Sequence, residues 1–244
     1  MTQMIVLCGG RGTRLNPTTE VIPKALIHVA GKPIIQHIVE IYSKKGIKDY
    51  IFCIGYKGDK IIDFFHANKI NFNGLNFDFV DSGEEASMLE RIYQGFNKID
   101  DEAIITYGDT INPNLNFDKL LEEHRTKNSG LTLVKAKIMN PFGILNYDDS
   151  GRVLTFKEKP VYDYYIGTFV SNNQIMKKYV TSDLRQAKDA IGLIKFFDDV
   201  IARGNAYVHS YEGKQLTFNT ELERGSVESD IIEFYTLNEA ENGR

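Results

Sequence analysis

The sequence predicts an α/β fold, a Rossmann-like doubly wound mixed sheet that carries a small antiparallel extension. In the first half, short apolar runs that end in glycine or aspartate alternate with segments of helical spacing. In the second half, several strand-like runs follow one another across short turns. No repeat or linker separates the halves, so we expect one domain over residues 1–244, with one half at 1–130 and the other at 131–244.

Each element of the first half has its own signal. The run 4–8 is continuously apolar, as is typical of a strand buried on both faces. We also predict strands over 50–55 and 103–109, the latter buried, and 75–81 alternates like a strand. Helices are predicted over 33–45, 58–67 and 85–98, the first of them with a proline in its first turn. In the second half we predict helices over 173–179, 190–202 and 226–238.

Composition excludes several classes of protein. The formal net charge is −4, which disfavours a broad nucleic-acid surface. No apolar run approaches the ~20 residues of a membrane span, and the amino terminus lacks a signal-peptide pattern. Cys8 and Cys53 both lie in predicted strands, which favours buried free thiols over a disulfide. These features predict a soluble cytoplasmic protein that binds neither nucleic acid nor membrane.

A glycine-rich cationic loop follows the first predicted strand, in the segment LCGGRGTRLNPTTEVIPKAL at residues 7–26. Ordering such a loop costs conformational entropy, and an anionic ligand could offset that cost. The dinucleotide fingerprint fails because Leu15 stands where its third glycine belongs, and no Gly-Lys-Ser/Thr run exists for a Walker loop. Glycine N–H groups together with Arg14 and Lys24 could still bind phosphate.

Ligands of doubly wound sheets bind at the carboxyl ends of the strands. The glycine loop and the segment 107–109 both follow strands at such ends. We therefore expect Asp109 to lie on the same rim of the sheet as the glycine loop.

The same segment resembles the nucleotide-binding signature of the sugar-phosphate nucleotidyltransferases, also called nucleoside-diphosphate-sugar pyrophosphorylases. The resemblance continues in GKPIIQHIVEIYSKKGIKD at 31–49, ITYGDTI at 105–111 and FKEKP at 156–160. The glucose-1-phosphate cytidylyltransferases are the nearest branch, through VDSG at 80–83, ITYGD and, weakly, EGKQLTFNT at 212–220. The resemblance implies a nucleotidyltransferase fold in which residues 1–130 form the nucleotide-binding half and residues 131–244 the acceptor-binding half, with an antiparallel extension that binds the sugar.

The implied reaction joins a nucleoside triphosphate, with CTP favoured, to a sugar 1-phosphate or related phosphorylated acceptor and releases pyrophosphate. The resemblance implies Mg²⁺ as cofactor, with Mn²⁺ as an alternative, and precursor synthesis for capsule or other surface polysaccharide. It also allows a homo-oligomer. Because the attacking phosphate is already an anion, catalysis should rest on positioning and electrostatics rather than on a general base.

The resemblance assigns a role to each candidate residue. Arg14 would stabilise the leaving pyrophosphate, Lys24 would bridge the two phosphates, and Lys159 would hold the acceptor's phosphate. Asp109 would bind the metal ion, with Asn219 as a tentative second ligand. Residues assigned to nucleotide binding are Leu7, Gly9, Gly10, Gly12, Thr13, Gly83, Arg91 and Gly108. Gly167 would let the acceptor lie against the backbone.

Three departures from the family pattern leave alternatives open. Asn219 stands where the family has a second metal aspartate, so metal affinity could fall unless Glu221 or Glu223 compensates. Leu89 and Glu90 replace two glycines, and we expect their side chains to fill space near the nucleotide. The family's N-G-G-F run is reduced to IGTF at 166–169, so that, with the change at Leu89 and Glu90, the nucleotide and acceptor could differ from CTP and glucose 1-phosphate. A non-catalytic nucleotide- or sugar-nucleotide-binding protein of the same fold is therefore a second hypothesis. The missing third glycine disfavours an NAD-dependent oxidoreductase.

Overall fold

A seven-stranded mixed sheet organises the chain in the computed structural model, which describes residues 2–242. The strands are β1 (Gln3–Leu7), β2 (His28–Val29), β3 (Lys32–Pro33), β4 (Asp49–Ile54), β5 (Asn76–Asp81), β6 (Glu102–Tyr107), β7 (Thr110–Ile111), β8 (Leu131–Met139), β9 (Ile144–Tyr147), β10 (Val153–Lys157), β11 (Val161–Asn172), β12 (Ala206–Ser210) and β13 (Leu216–Thr217). The helices are α1 (Thr18–Val21), α2 (Ile34–Ser43), α3 (Gly58–Ala67), α4 (Met88–Phe96), α5 (Phe117–Thr126), α6 (Asn173–Tyr179), α7 (Ser182–Gln186), α8 (Ile191–Ala202) and α9 (Glu221–Asn242). Single 3₁₀ turns lie at Thr13–Leu15, Lys24–Leu26 and Lys69–Phe72.

The order of strands across the sheet is β12-β8-β11-β6-β1-β4-β5. β1 pairs in parallel with β4 on one side and with β6 on the other, and β4 pairs in parallel with β5. The chain therefore winds outward from β1 to β5 and then returns to β6 across β1. This reversal makes the carboxyl end of β1 a topological switch point, where doubly wound sheets bind their ligands.

Helices cover both faces of the sheet, because successive residues of a buried strand point to opposite sides. Met4 and Val6 belong to a core shared with α2, α3, α5 and α9. Ile5 belongs to the second core, with α4, α6 and α8. The predicted doubly wound mixed sheet is thus confirmed, including the antiparallel strand β11 between β6 and β8.

A β arm extends past the carboxyl-end rim. Leu133 of β8 is level with Phe169 of β11, which is level with Ile105 of β6. The remainder of β8 and the start of β11 continue pairing beyond β6, and the β9–β10 hairpin connects them. This is the predicted antiparallel extension, and it begins at the rim that carries the switch point. Among residues 2–242, no helix combines the length and the apolar character that crossing a bilayer requires.

Two helix starts differ from the sequence prediction by three residues or more, for local reasons. α4 begins at Met88 rather than residue 85, because the Ser87 hydroxyl caps it by accepting the Glu90 N–H at 3.0 Å. α9 begins at Glu221 rather than residue 226. The Thr220 hydroxyl accepts the N–H of Glu223, three residues later, as the first half of a capping box.

Acidification should destabilise the fold through a buried histidine. His124 is 2% exposed, with Nδ1 2.8 Å from the Thr132 hydroxyl oxygen. Burial and, to a smaller extent, the charge of Arg125 together lower its pKa to about 4. The unfolded chain takes up the proton at higher pH, so this stability is present above pH ~6.5 and is lost as the pH falls toward 4.

Urea denaturation of wild type and His124→Asn at pH 7 and pH 5 tests this prediction. We expect the replacement to reduce the loss of unfolding free energy between the two pH values by about 2 kcal/mol, because asparagine can still hydrogen-bond Thr132 without titrating. The matched control is His66→Asn, since His66 is exposed. An unchanged pH dependence in His124→Asn would contradict the assignment.

Candidate active site

The loop after β1 offers backbone donors that the protein itself does not use. Within residues 2–242, the N–H groups of residues 10–13 donate no hydrogen bond to another residue. Gly12 adopts the left-handed conformation at φ 63°, which a glycine tolerates at little cost. Its carbonyl oxygen accepts the N–H of Leu15 at 3.0 Å and so closes the following turn. Successive unsatisfied N–H groups in such a turn form an anion-binding concavity.

Gly108 brings the end of β6 against the end of β1. Its N–H donates to the Leu7 carbonyl oxygen at 2.8 Å. A Cβ at this position would lie 2.9 Å from Cys8 Cβ and 3.1 Å from Leu7 O, which real Cβ atoms tolerate poorly. The absence of a side chain therefore lets the following residue, Asp109, project beside the switch point.

Lys24, Asp109 and Asn219 converge on one point. Lys24 Nζ donates to Asp109 Oδ2 at 2.6 Å and to Asn219 Oδ1 at 3.2 Å. Pro23 precedes the 3₁₀ turn that holds Lys24, and Asn219 stands just before the capped start of α9. The Lys24 side chain is 12% exposed and that of Asp109 is 30% exposed, so the pair is only partly screened by water.

The residues around Asp109 fit a hard divalent cation in part. Two side-chain oxygens, one from a carboxylate and one from an amide, already point at a cationic group, the Lys24 ammonium. Mg²⁺ prefers such oxygen ligands and completes its shell with phosphate oxygens and water. Within residues 2–242, no three or more His, Cys, Asp or Glu side chains are grouped to hold a metal ion.

The two glutamates considered as compensating ligands have other partners. Glu223 Oε2 accepts the Asn219 backbone N–H at 2.6 Å and so helps to cap α9. Glu221 pairs with Arg224 at 2.7 Å and lies 3.4 Å from the Thr18 hydroxyl. Thr110, which the sequence analysis does not single out, donates its hydroxyl to Asp109 Oδ1 at 3.0 Å. The sequence signal for this hydrogen bond is a hydroxyl residue placed directly after the aspartate at the end of the strand.

The two arginines of the loop differ in their surroundings. Arg14 is exposed, and among the residues that the structure describes it has no ion-pair or hydrogen-bond partner. Arg11 Nη2 instead donates to Glu84 Oε2 at 2.7 Å and to Glu85 Oε1 at 2.9 Å, with its guanidinium 5.1 Å from the centre of the Tyr56 ring. Arg14 therefore keeps its full donor capacity for a ligand, whereas Arg11 joins the loops after β1 and β5.

Arg91 lies beneath the loops rather than in an open pocket. It is 5% exposed and donates to the Ile54 carbonyl oxygen at 2.6 Å and to the Glu84 carbonyl oxygen at 3.0 Å. Burial lowers the pKa of this guanidinium. A Cβ at Gly9 would overlap it, at 2.6 Å from Arg91 Cζ. Its two bonds therefore tie the strand-end loops together, while Gly83, at φ 80°, is exposed on the loop above.

The two side chains that replace the family's glycines point elsewhere. Leu89 is fully buried in the core that α4 shares with α8. Glu90 pairs with Arg185 at 3.0 Å and accepts from Gln94 Nε2 at 2.6 Å. Both side chains are therefore engaged on the α7–α8 side of α4, which differs from the predicted crowding near the nucleotide.

The predicted acceptor residues lie on and below the β arm. Lys159 is exposed, at φ 43°, in the turn between β10 and β11. Gly167 is buried at φ 79°, and a Cβ there would lie 2.6 Å from Cδ2 of Tyr107. Glycine is required at this position because the tyrosine ring packs on it. Burial, followed by the charge of Asp109, raises the pKa of Tyr107.

Comparison with known proteins agrees with this geometry. The family model described as nucleotidyl transferase matches residues 3–214. A probable glucose-1-phosphate cytidylyltransferase of Bacillus subtilis strain 168 is 34% identical over 192 residues, covering 70% of this chain and 75% of that protein. Glucose-1-phosphate cytidylyltransferase of Salmonella typhi is 32% identical over 197 residues, covering 70% and 76%.

A crystal structure of HddC from Yersinia pseudotuberculosis complexed with GMP-PN superimposes with a TM-score of 0.71. It covers 95% of this chain and 100% of HddC at 20% identity, which indicates a common fold. The sequence relatives also match the branch that the motifs of the strand ends indicated. The chain therefore belongs to the nucleotidyl transferase family of enzymes.

Proposed function

We propose that this protein catalyses metal-dependent transfer of a nucleotidyl group from a nucleoside triphosphate, with CTP favoured, to a sugar 1-phosphate or related phosphorylated acceptor. The observation that carries the proposal is the unused backbone donors of residues 10–13 at the same switch point as the Lys24–Asp109 pair. One region thus combines an anion-binding turn, a cation and a carboxylate. The two cytidylyltransferase relatives support CTP as the nucleotide and glucose 1-phosphate as the first acceptor to test.

In the proposed reaction, a phosphate oxygen of the acceptor attacks the α-phosphorus of the nucleotide. The new P–O bond forms as the bond to the bridging β-phosphate oxygen breaks, and pyrophosphate leaves with that electron pair. The glycine loop would hold the triphosphate, Arg14 would stabilise the leaving group, and Lys24 would neutralise the approaching phosphates. Mg²⁺ held by Asp109, with Asn219, would supply further charge neutralisation.

No nucleophilic side chain is needed for this chemistry, and the two thiols are poor candidates for one. Burial, together with Cys53, raises the pKa of Cys8 well above its usual range, and burial raises the pKa of Cys53 to about 12. Both thiols therefore stay protonated near neutral pH, where only a thiolate would be nucleophilic. Catalysis by positioning and electrostatics fits these surroundings better than a covalent intermediate.

A nucleotide panel followed by a turnover assay tests the proposal. With Mg²⁺ present, CTP should raise the melting temperature more than GTP, UTP, ATP or dTTP, because a ligand that binds only the folded state stabilises it according to its affinity. CTP and glucose 1-phosphate together should then release pyrophosphate. If a broad panel of sugar phosphates yields none while the protein stays folded and binds a nucleotide, the proposed catalysis is wrong.

The second candidate is a non-catalytic nucleotide- or sugar-nucleotide-binding protein. The neutral Asn219 beside Asp109 favours it, because an amide contributes less charge to a metal site than a carboxylate does. This candidate predicts a nucleotide-dependent thermal shift without pyrophosphate release from any acceptor. The turnover assay therefore separates the two.

A further inference from the structure

The Lys24 ammonium already occupies the point where the oxygens of Asp109 and Asn219 meet. Its distances to these oxygens, 2.6 and 3.2 Å, are those of direct hydrogen bonds. The Phe218 ring lies on another side, with its centre 5.3 Å from Nζ. The ammonium is therefore enclosed by two acceptors and an aromatic face, and little of the side chain is left to water.

The charges at this point cancel. Asp109 contributes one negative charge, Lys24 contributes one positive charge, and Asn219 contributes none. The neighbouring carboxylates of Glu221 and Glu223 are engaged by Arg224 and by the backbone at the start of α9. Among residues 2–242, Asp109 is the one carboxylate that pairs with the ammonium. A bare divalent cation would have to displace the ammonium from it, and it would find one carboxylate and one amide as protein ligands.

We propose that Lys24 closes the Asp109 site to free divalent cations, so that Asp109 accepts a metal ion only as part of a metal–nucleotide complex. The inference rests on the proposed function for the identity of the nucleotide. A triphosphate would give the Lys24 ammonium a new anionic partner and free the Asp109 carboxylate. It would also supply the oxygen ligands that Asp109 and Asn219 alone do not provide. Lys24 is in this sense a residue that sets the order of binding.

Two replacements should each allow the site to bind a free divalent cation, one by removing a positive charge and the other by adding a negative charge. Lys24→Met removes the competing cation and leaves Asp109 without its partner. Asn219→Asp keeps Lys24 and adds a second carboxylate. We expect each variant to bind free Mn²⁺ at least about tenfold more tightly than wild type, because each changes the charge beside a divalent cation by one unit at contact distance.

Water-proton relaxation enhancement by Mn²⁺ provides the measurement. Mn²⁺ bound to a protein tumbles slowly and relaxes water protons faster than free Mn²⁺ or its nucleotide complex does. Wild type with Mn²⁺ alone should show little enhancement, and Lys24→Met and Asn219→Asp should show clear enhancement. Wild type should acquire it when CTP is added. Lys24→Met combined with Asp109→Asn should lose the gain, which assigns the new site. Far-UV circular dichroism checks folding, and Lys24→Gln, which also removes the ammonium charge, takes the place of Lys24→Met if that variant does not fold.

Two failures are distinguishable. Free Mn²⁺ bound by wild type as tightly as by both variants would overturn the role of Lys24 and leave the proposed transferase intact. Absence of a nucleotide-dependent enhancement with all five triphosphates, together with absence of pyrophosphate release, would overturn the proposed function. In that case the Lys24→Met protein would still bind free Mn²⁺ more tightly than wild type, because this measurement needs no nucleotide.

Discussion

Replacement of Asp109 by asparagine should lower turnover on the order of 10³-fold, with a much smaller loss of affinity for the metal–nucleotide complex. Among the residues that the structure describes, this carboxylate is the one negatively charged group that contacts Lys24. Its proposed role is to hold the metal ion as charge develops on the phosphates. An interaction that is present in the bound complex and becomes stronger in the transition state lowers kcat and kcat/KM more than it lowers ground-state affinity. Steady-state pyrophosphate release and the CTP-induced thermal shift measure the two quantities.

Asp230→Asn is the matched control for losing an ion pair. Asp230 lies on α9, pairs with Lys214 and is 14% exposed at its side chain. We expect Asp230→Asn to lower the free energy of unfolding about as much as Asp109→Asn does, and to keep turnover within a few-fold of wild type. Equal turnover in Asp109→Asn and wild type would show that the carboxylate takes no part in the reaction.

Arg14→Ala should lower kcat/KM by about 10²- to 10³-fold, with a modest loss of nucleotide binding. The guanidinium is exposed at the turn that closes the glycine loop, and no described residue binds it. Removal therefore leaves no buried partner unsatisfied, so the expected loss belongs to the ligand rather than to the fold. A planar, permanently charged donor suits the leaving pyrophosphate, which gains charge as the bond to phosphorus breaks.

Arg11→Ala provides the control within the same loop. It removes the same formal charge, but the Arg11 guanidinium is already bound by Glu84 and Glu85. Both carboxylates are substantially exposed, so their release should cost little stability. We expect a much smaller effect on kcat/KM than in Arg14→Ala. Equal losses in the two variants would indicate that the loop needs only positive charge, and a binding loss alone in Arg14→Ala would favour the non-catalytic candidate.

The sheet and the glycine loop could be predicted because their signals are local. Continuous apolar runs, helical spacing and glycine-rich turns each depend on residues that are neighbours in the chain. The alternation of these signals is sufficient to predict a doubly wound sheet, whose parallel strands bring their carboxyl ends together. The T-x-x-E signal of Thr220 and Glu223 was equally local, and applying it would have placed the start of α9 correctly.

The partners of the side chains depend on the tertiary structure. The Arg91 guanidinium could bind an anionic ligand, yet it is buried and donates to two backbone carbonyl oxygens. It therefore links the end of β4 to the loop after β5. Gly167 has the freedom to let a ligand approach, yet the Tyr107 ring covers it. In each case the sequence defines the chemical capacity of the residue, and the packing of distant elements decides where that capacity is used.

The class of fold, the ligand-binding rim and the family signature could be inferred from local patterns, because they follow from periodicity and turn chemistry over a few residues. The contacts of Lys24 with Asp109, 85 residues away, and with Asn219, 195 residues away, arise only when the chain folds. Charge balance at a point in space is a sum over groups from separate elements, and no local pattern encodes that sum.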